Sequence, residues 1–158
     1  MRKIDQLLSE YGESHQNETN KTIHWICVPL IFLSIVGLIA SIPAGPVQTM
    51  LGNSIFSTWA TVAMFVVMIY YLSLSLPLAV GMVLFSIACL AIINFLAKLQ
   101  FAPLWLVCIV IFVVAWIGQF YGHKVEGRKP SFFKDVQFLL IGPAWLMHFI
   151  YKKIGIKY

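Results

Sequence analysis

Long apolar blocks alternate with short polar stretches along most of this chain. The blocks cover residues 22–42, 55–73, 77–97 and 103–121. Each is close to the roughly 20 residues that a helix needs to cross the hydrocarbon core of a bilayer. The pattern therefore predicts four transmembrane helices. Because only residues 74–76 separate the second block from the third, these two are expected to form a tight antiparallel hairpin.

The segment before the first block has a helical periodicity of its own. Apolar residues stand at i, i+3, i+4 and i+7 within residues 2–13, namely Ile4, Leu7, Leu8 and Tyr11. This spacing predicts a short amphipathic helix, which we expect to lie along the membrane surface.

The last apolar stretch, residues 136–151, contains Gly142 and Pro143 and is short for a membrane span. Proline removes a backbone donor and clashes with the preceding turn. We therefore expect a re-entrant segment broken at this Gly-Pro pair and buried against protein. The predicted fold class is an all-α integral membrane protein that forms a single helical domain over residues 1–158.

Composition supports this fold class. Hydrophobic residues make up 60% of the 158 residues and charged residues only 11%, so too little polar surface remains to cover a soluble domain. The first 21 residues contain no apolar h-region, and no cleavable signal peptide is expected. The three cysteines, Cys27, Cys89 and Cys108, lie in apolar blocks without a CxxC motif. We expect buried thiols rather than disulfides or a zinc site.

The net charge of +5 is best explained by membrane topology, and no nucleic-acid partner is expected. With the amino terminus in the cytoplasm, four spans and a re-entrant segment, only Lys98 lies outside. The other ten basic residues lie inside: Arg2, Lys3, Lys21, Lys124, Arg128, Lys129, Lys134, Lys152, Lys153 and Lys157. This asymmetry predicts cytoplasmic termini, in a bacterial inner membrane or, in a eukaryote, the endoplasmic reticulum.

The chain contains four histidines, His15, His24, His123 and His148. The predicted topology places the first three at the cytoplasmic boundary, and His148 joins them if the last segment turns back. A single boundary histidine is usually a polar residue that reaches toward water. Four at one end of so weakly charged a chain favour a metal site, since neutral imidazole is the commonest protein metal ligand.

Three polar residues accompany these histidines and are predicted to take part in catalysis. Asn20 precedes His24 by four residues, and Gln119 precedes His123 by four, so each pair shares a helix face. The alternative role of Asn20 is a cap at the start of the helix. Glu126 is the nearest carboxylate, and it would either bind the metal or orient a histidine.

Arg128 and Lys129 follow within the same polar stretch. They are candidates for binding an anionic headgroup or the carboxylate of a substrate. Setting the membrane topology is an equally good explanation of both charges.

Together these residues resemble the Mpo1-like family of small membrane proteins. The residues that carry the resemblance are Tyr11, His15, Asn20, His24, residues 27–30, Trp116, Gln119, Phe120, residues 122–123, Glu126, Pro130 and residues 142–143.

The resemblance implies an iron(II)-dependent dioxygenase that uses O2 to convert 2-hydroxy fatty acids into the one-carbon-shorter fatty acid and CO2. By this resemblance His15, His24 and His123 would be iron ligands, and the expected position of His148 at the same boundary makes it the predicted fourth. The acyl tail would lie in the bilayer or between helices. The residues themselves leave iron and zinc open, because imidazole suits both metals. A bis-histidine haem protein, a transporter and a scaffold are the alternative functions.

Overall fold

The structure is a computed structural model that describes residues 2–54, 56–127 and 138–157. Its described part contains helices and no strands, and the predicted all-α fold is confirmed. The helices are α1 (Lys3–Glu13), α2 (Glu18–Ala40), α3 (Gly45–Leu51), α4 (Trp59–Leu74), α5 (Leu76–Leu99), α6 (Leu104–Val125) and α7 (Ile141–Ile154). Of these, α2, α5 and α6 are long and apolar enough to cross a membrane, and α4 is a shorter apolar helix.

The four predicted apolar blocks correspond to α2, α4, α5 and α6, with differences at their ends. Helix α4 begins at Trp59 because the side chain of Thr58 accepts a hydrogen bond from the backbone N–H of Thr61. Ser75 alone separates α4 from α5, and its side chain accepts from the N–H of Leu78. The predicted hairpin is therefore present. The short helix α3 was not predicted.

The amphipathic helix α1 buries its apolar face against protein. Ile4, Leu8 and Tyr11 are its buried residues, and they belong to the same core cluster as Trp145 of α7. The periodicity was therefore predictive of the helix, and α7 is the partner that covers its apolar face.

The Gly-Pro pair does not break the last helix, and this part of the prediction is corrected. Gly142 and Pro143 lie in the first turn of α7, which continues without interruption to Ile154. A proline is tolerated there because the first N–H groups of a helix have no partner within the helix. A Cβ on Gly142 would lie 3.0 Å from Val28 and 3.2 Å from the Tyr11 hydroxyl. Glycine therefore allows α7 to approach α1 and α2.

The most extensive helix pair is α2 with α6. Gly118 and Gly122 of α6 form a G-x-x-x-G pattern, which permits close approach of membrane helices. A Cβ on Gly118 would lie 2.6 Å from the sulfur of Cys27, and one on Gly122 would collide with Asn20. Because Gly122 lies against Asn20, the polar first turns of α2 pack against the last turns of α6. Helix α2 runs through Pro29 as one element.

The outer faces of the long helices are apolar. On α4, Phe65, Val66 and Ile69 are exposed, as are Val80 and Leu84 on α5. Exposed apolar surface of this extent is typical of helices that face lipid. The cysteines Cys27, Cys89 and Cys108 are buried thiols.

Candidate metal centre

Three histidines from distant parts of the chain meet where α2 and α6 come together. His15 lies in the linker between α1 and α2, His24 near the start of α2 and His123 near the end of α6. One ring nitrogen of each lies within 4.8 Å of the others. None of the three side chains is more than 4% exposed. We call these residues the histidine triad.

Hydrogen bonds to backbone carbonyls orient two of the imidazole rings. Nδ1 of His15 donates to the carbonyl of Tyr11 at 2.6 Å, and Nδ1 of His24 donates to the carbonyl of Asn20 at 2.9 Å. A carbonyl only accepts, so Nδ1 carries the proton and Nε2 keeps its lone pair. Histidine ligands of metals are typically held in this way through their other ring nitrogen.

Aromatic rings support the triad from the side of α1 and α7. The ring of Tyr11 stacks on that of His15, with centroids 4.3 Å apart and an interplanar angle of 13°. Trp145 lies 5.4 Å from His15, centroid to centroid. His15 is therefore held by ring contacts as well as by its hydrogen bond to Tyr11.

Glu126 connects the end of α6 to the linker that carries His15. Its carboxylate accepts hydrogen bonds from the backbone N–H groups of Gln16 and Asn17, each at 2.9 Å at its shortest. It also accepts from the side-chain amide of Asn20 at 3.0 Å. Burial raises the pKa of Glu126, but these hydrogen bonds outweigh it and hold the pKa below its ordinary value. The carboxylate therefore positions the linker as an anion.

Asn20 is fully buried between α2 and α6. Its side-chain amide donates to Glu126 and, at 3.3 Å, to the carbonyl of Ser14. The cap of α2 is Asn17, whose side chain accepts from the N–H groups of Thr19 and Asn20. Asn20 is thus not the cap. Its side-chain oxygen lies against Gly122 and accepts no hydrogen bond from the described residues.

Gln119 lies one turn before His123 on the same face of α6 and is buried. It lines a cleft together with His24, and its side-chain oxygen also accepts no hydrogen bond within the described part of the chain. The cleft is open, with about 320 Å³ of empty space when its mouth is counted, and its other lining residues are Tyr11, Val28, Ile31, Trp116, Phe138, Leu139 and Gly142. A small polar group can therefore enter beside His24 and Gln119.

Comparison with protein families identifies the family of this chain. The model of one family, described as 2-hydroxy-palmitic acid dioxygenase Mpo1-like, matches residues 1–154. The chain belongs to the Mpo1-like family. Neither the curated proteins nor the solved structures contain a match.

In this Mpo1-like protein the structure does not bring the fourth histidine to the other three. His148 lies on α7 and lines a separate cavity with Asp5, Leu8, Ser9 and Trp145. The group of side chains close enough to share one metal ion contains His15, His24 and His123 among the described residues, without His148 or Glu126. The structure therefore brings together three of the four histidines that were predicted as ligands.

Two further predicted residues, Arg128 and Lys129, lie outside the described residues. Conversely, the prediction gave no role in the site to Trp145 or to the carbonyl of Tyr11. The spacing offered one signal, since Tyr11 precedes His15 by four residues, as Asn20 precedes His24. The position of Trp145 depends on the packing of α7 against α1, which no local pattern specifies.

The triad fits a divalent first-row metal. Three buried imidazoles, two of them with Nδ1 already engaged, form a nitrogen donor set that suits iron, zinc or copper. A haem between two of these histidines does not fit. The ring centroids lie 4.1, 5.1 and 5.5 Å apart and the rings meet edge to face, which leaves no space for a porphyrin between any pair.

Proposed function

We propose that this Mpo1-like protein is an iron(II)-dependent dioxygenase that cleaves 2-hydroxy fatty acids by α-oxidation. The observation that carries the proposal is the histidine triad, whose ring nitrogens lie within 4.8 Å of one another in a chain matched by a dioxygenase family. Three ligands leave coordination positions open, as iron oxygenases require. Bound there, iron(II) would supply activation of O2.

The reaction balances without an added reductant. A 2-hydroxy acid, R–CH(OH)–COOH, and O2 give R–COOH, CO2 and H2O. The bond between C1 and C2 breaks, C2 gives up three electrons and C1 gives up one, and O2 accepts these four. Organic cofactors are therefore not needed for the overall conversion.

The side chains around the triad have two roles: one binds the polar head of the substrate, and two others hold the histidines in position. The amide of Gln119 lines the cleft beside His24, and its oxygen accepts a hydrogen bond from the 2-hydroxyl group. Glu126 and Asn20 hold the linker and α2 in place, so that His15 and His24 keep their orientation. The apolar walls of the cleft exclude water from the reacting carbon atoms.

The same proposal includes a topology. Helices α2, α4, α5 and α6 cross the membrane, the short helix α7 does not, and both termini and the triad face the cytoplasm. The support is the distribution of positive charge, since Lys21, Lys124 and Lys152 lie at one end of the helices and Lys98 at the other. Protease access to tags at both termini in sealed vesicles tests it, and a protected carboxyl terminus beside an accessible amino terminus would contradict it.

The activity is tested with protein purified in lipid nanodiscs and reloaded anaerobically with iron(II). We expect O2-dependent release of labelled CO2 from 2-hydroxypalmitic acid labelled at C1. His24→Ala should abolish both bound iron and release, whereas the matched control His148→Ala should keep both. Iron-loaded protein that releases no CO2 would overturn the proposed reaction, and iron retained by His24→Ala would overturn the site.

A further inference from the structure

A second cavity lies next to the cleft beside the triad, and one residue lines both. It lies between α2 and α4 and is open, with about 380 Å³ of empty space when its mouth is counted. Its lining residues are Phe32, Ile35, Val36, Ile39, Ala60, Ala63, Met64, Val67, Leu139 and Leu140. Leu139 lines both cavities, so the two lie side by side along α2. We call the second one the α2–α4 cleft.

The lining of the two cavities changes from partly polar to apolar along α2. The first has His24 and Gln119 in its wall, whereas all ten residues that line the α2–α4 cleft are apolar. Along α2 the lining passes from His24 through Ile31 to Ile39. A ligand that fits both cavities has one polar end and one long apolar end.

The length of the path along α2 past both cavities indicates which ligand would fit. From Val28 to Ile39, α2 rises by about 16 Å at 1.5 Å per residue. Half the hydrocarbon core of a bilayer is about 15 Å thick, which is the depth that one acyl chain of a membrane lipid spans. The path therefore has the length of one long acyl chain.

We propose that the α2–α4 cleft holds the acyl tail of the substrate and measures its length. This inference rests on the proposed function for the identity of the polar head. Ala60 and Ala63 provide the width, because α4 presents small side chains to the cleft where larger ones would fill it. The tail runs past Leu139 and ends near Ile39, so that C1 and C2 remain at the triad.

Filling the cleft should change the preferred chain length. In Ala63→Phe, we expect kcat/KM for 2-hydroxypalmitic acid to fall about tenfold or more, while the value for 2-hydroxyoctanoic acid stays within about twofold, since a few methylene groups typically change discrimination by such factors. The control Ala91→Phe makes the same change at an exposed position of α5 and should leave both values unaltered. An equal fall for both substrates in Ala63→Phe would overturn the proposal.

Photocrosslinking of the unaltered protein tests the cleft without turnover and without a variant that must fold. A 2-hydroxypalmitic acid with a diazirine near the end of its tail should label residues 35–39 or 60–67, and an excess of 2-hydroxypalmitic acid should suppress this labelling. Labelling that this competitor does not reduce would show that bilayer lipid fills the cleft, and would overturn the proposal. Suppressible labelling in a protein that releases no CO2 would uphold the cleft and overturn only the proposed reaction.

Discussion

Helices α2 and α6 pack against each other at both ends, but the two ends are held by different chemistry. At the polar end, Gly122 admits the buried side chain of Asn20, which is hydrogen bonded to Glu126. At the apolar end, Gly37 of α2 admits the sulfur of Cys108 of α6. Close approach therefore serves a buried polar network at one end and van der Waals packing at the other.

The difference shows what buried polar groups do in this fold. Apolar packing needs only the right volume, whereas a buried amide or imidazole needs partners with the right geometry. Residues about 110 positions apart supply those partners, since Glu126 binds the N–H groups of Gln16 and Asn17. Changes at the polar end should therefore act on metal binding, and changes at the apolar end on stability alone.

The largest effect is expected at the triad itself. His15→Ala or His123→Ala removes one of three ligands and should lower bound iron and CO2 release by more than about 100-fold, beyond the range typical of supporting residues. Metal analysis of the purified variants, with circular dichroism to confirm their helicity, checks this. A variant that keeps its iron and its activity would show that the substituted histidine is not a ligand.

A matched pair of glycine substitutions compares the two ends directly. In Gly122→Ala the new methyl group collides with Asn20, which cannot retreat because Glu126 and the Ser14 carbonyl hold it. Iron affinity should fall by about 10–100-fold. In Gly37→Ala the methyl group meets Cys108, and overpacking should cost about 1–3 kcal/mol of stability with iron per folded chain unchanged. Equal losses of iron affinity in both variants would contradict the proposed difference between the polar and the apolar end of the α2–α6 pair.

Glu126→Gln should have a smaller effect on iron. The amide is neutral and presents an N–H group where the carboxylate accepted two backbone donors, so the linker loses a charge-assisted anchor. We expect about a tenfold loss of iron affinity, measured by titration with iron(II) under anaerobic conditions. Glu18→Gln, on an exposed residue of the first turn of α2, serves as the control. Loss of all iron in Glu126→Gln would instead indicate a direct ligand.

The smallest effects are expected from the helix caps. Asn17→Ala at the polar end and Thr58→Ala at the start of α4 each remove a side chain that accepts from backbone N–H groups. Each should cost about 1 kcal/mol of stability, measured by thermal unfolding in nanodiscs. Only Asn17→Ala should also weaken iron binding, because only Asn17 lies in the linker that carries His15. Weaker iron binding in Thr58→Ala would contradict the division between the two ends.

The sequence was most predictive where a local pattern determines local structure. Apolar runs of span length predicted α2, α4, α5 and α6, and the i, i+3, i+4 spacing predicted α1. The i, i+4 spacing of Asn20–His24 and of Gln119–His123 predicted that each pair shares a helix face, and all four side chains are buried in the structure. The resemblance through the residues around His15, His24 and His123 was confirmed by the family match.

The rest depends on contacts between distant residues. A Gly-Pro pair is compatible with a break or with the start of a helix, and the structure shows the start of α7. The position of His148 follows from the packing of α7 on α1, which sets it beside Asp5. The role of Glu126 as an anchor follows from a linker that folds back onto α6. None of these arrangements has a signature in local sequence.

The central claim is that His15, His24 and His123 together hold one iron ion. X-ray absorption spectroscopy of the iron(II)-loaded protein in nanodiscs, combined with metal analysis, tests it most directly. The account predicts one iron per chain with three imidazole nitrogens at roughly 2 Å, the usual range of metal–imidazole bonds, and an unchanged spectrum in His148→Ala. Sulfur ligation, or a spectrum that keeps all its imidazole ligands in His24→Ala, would contradict it.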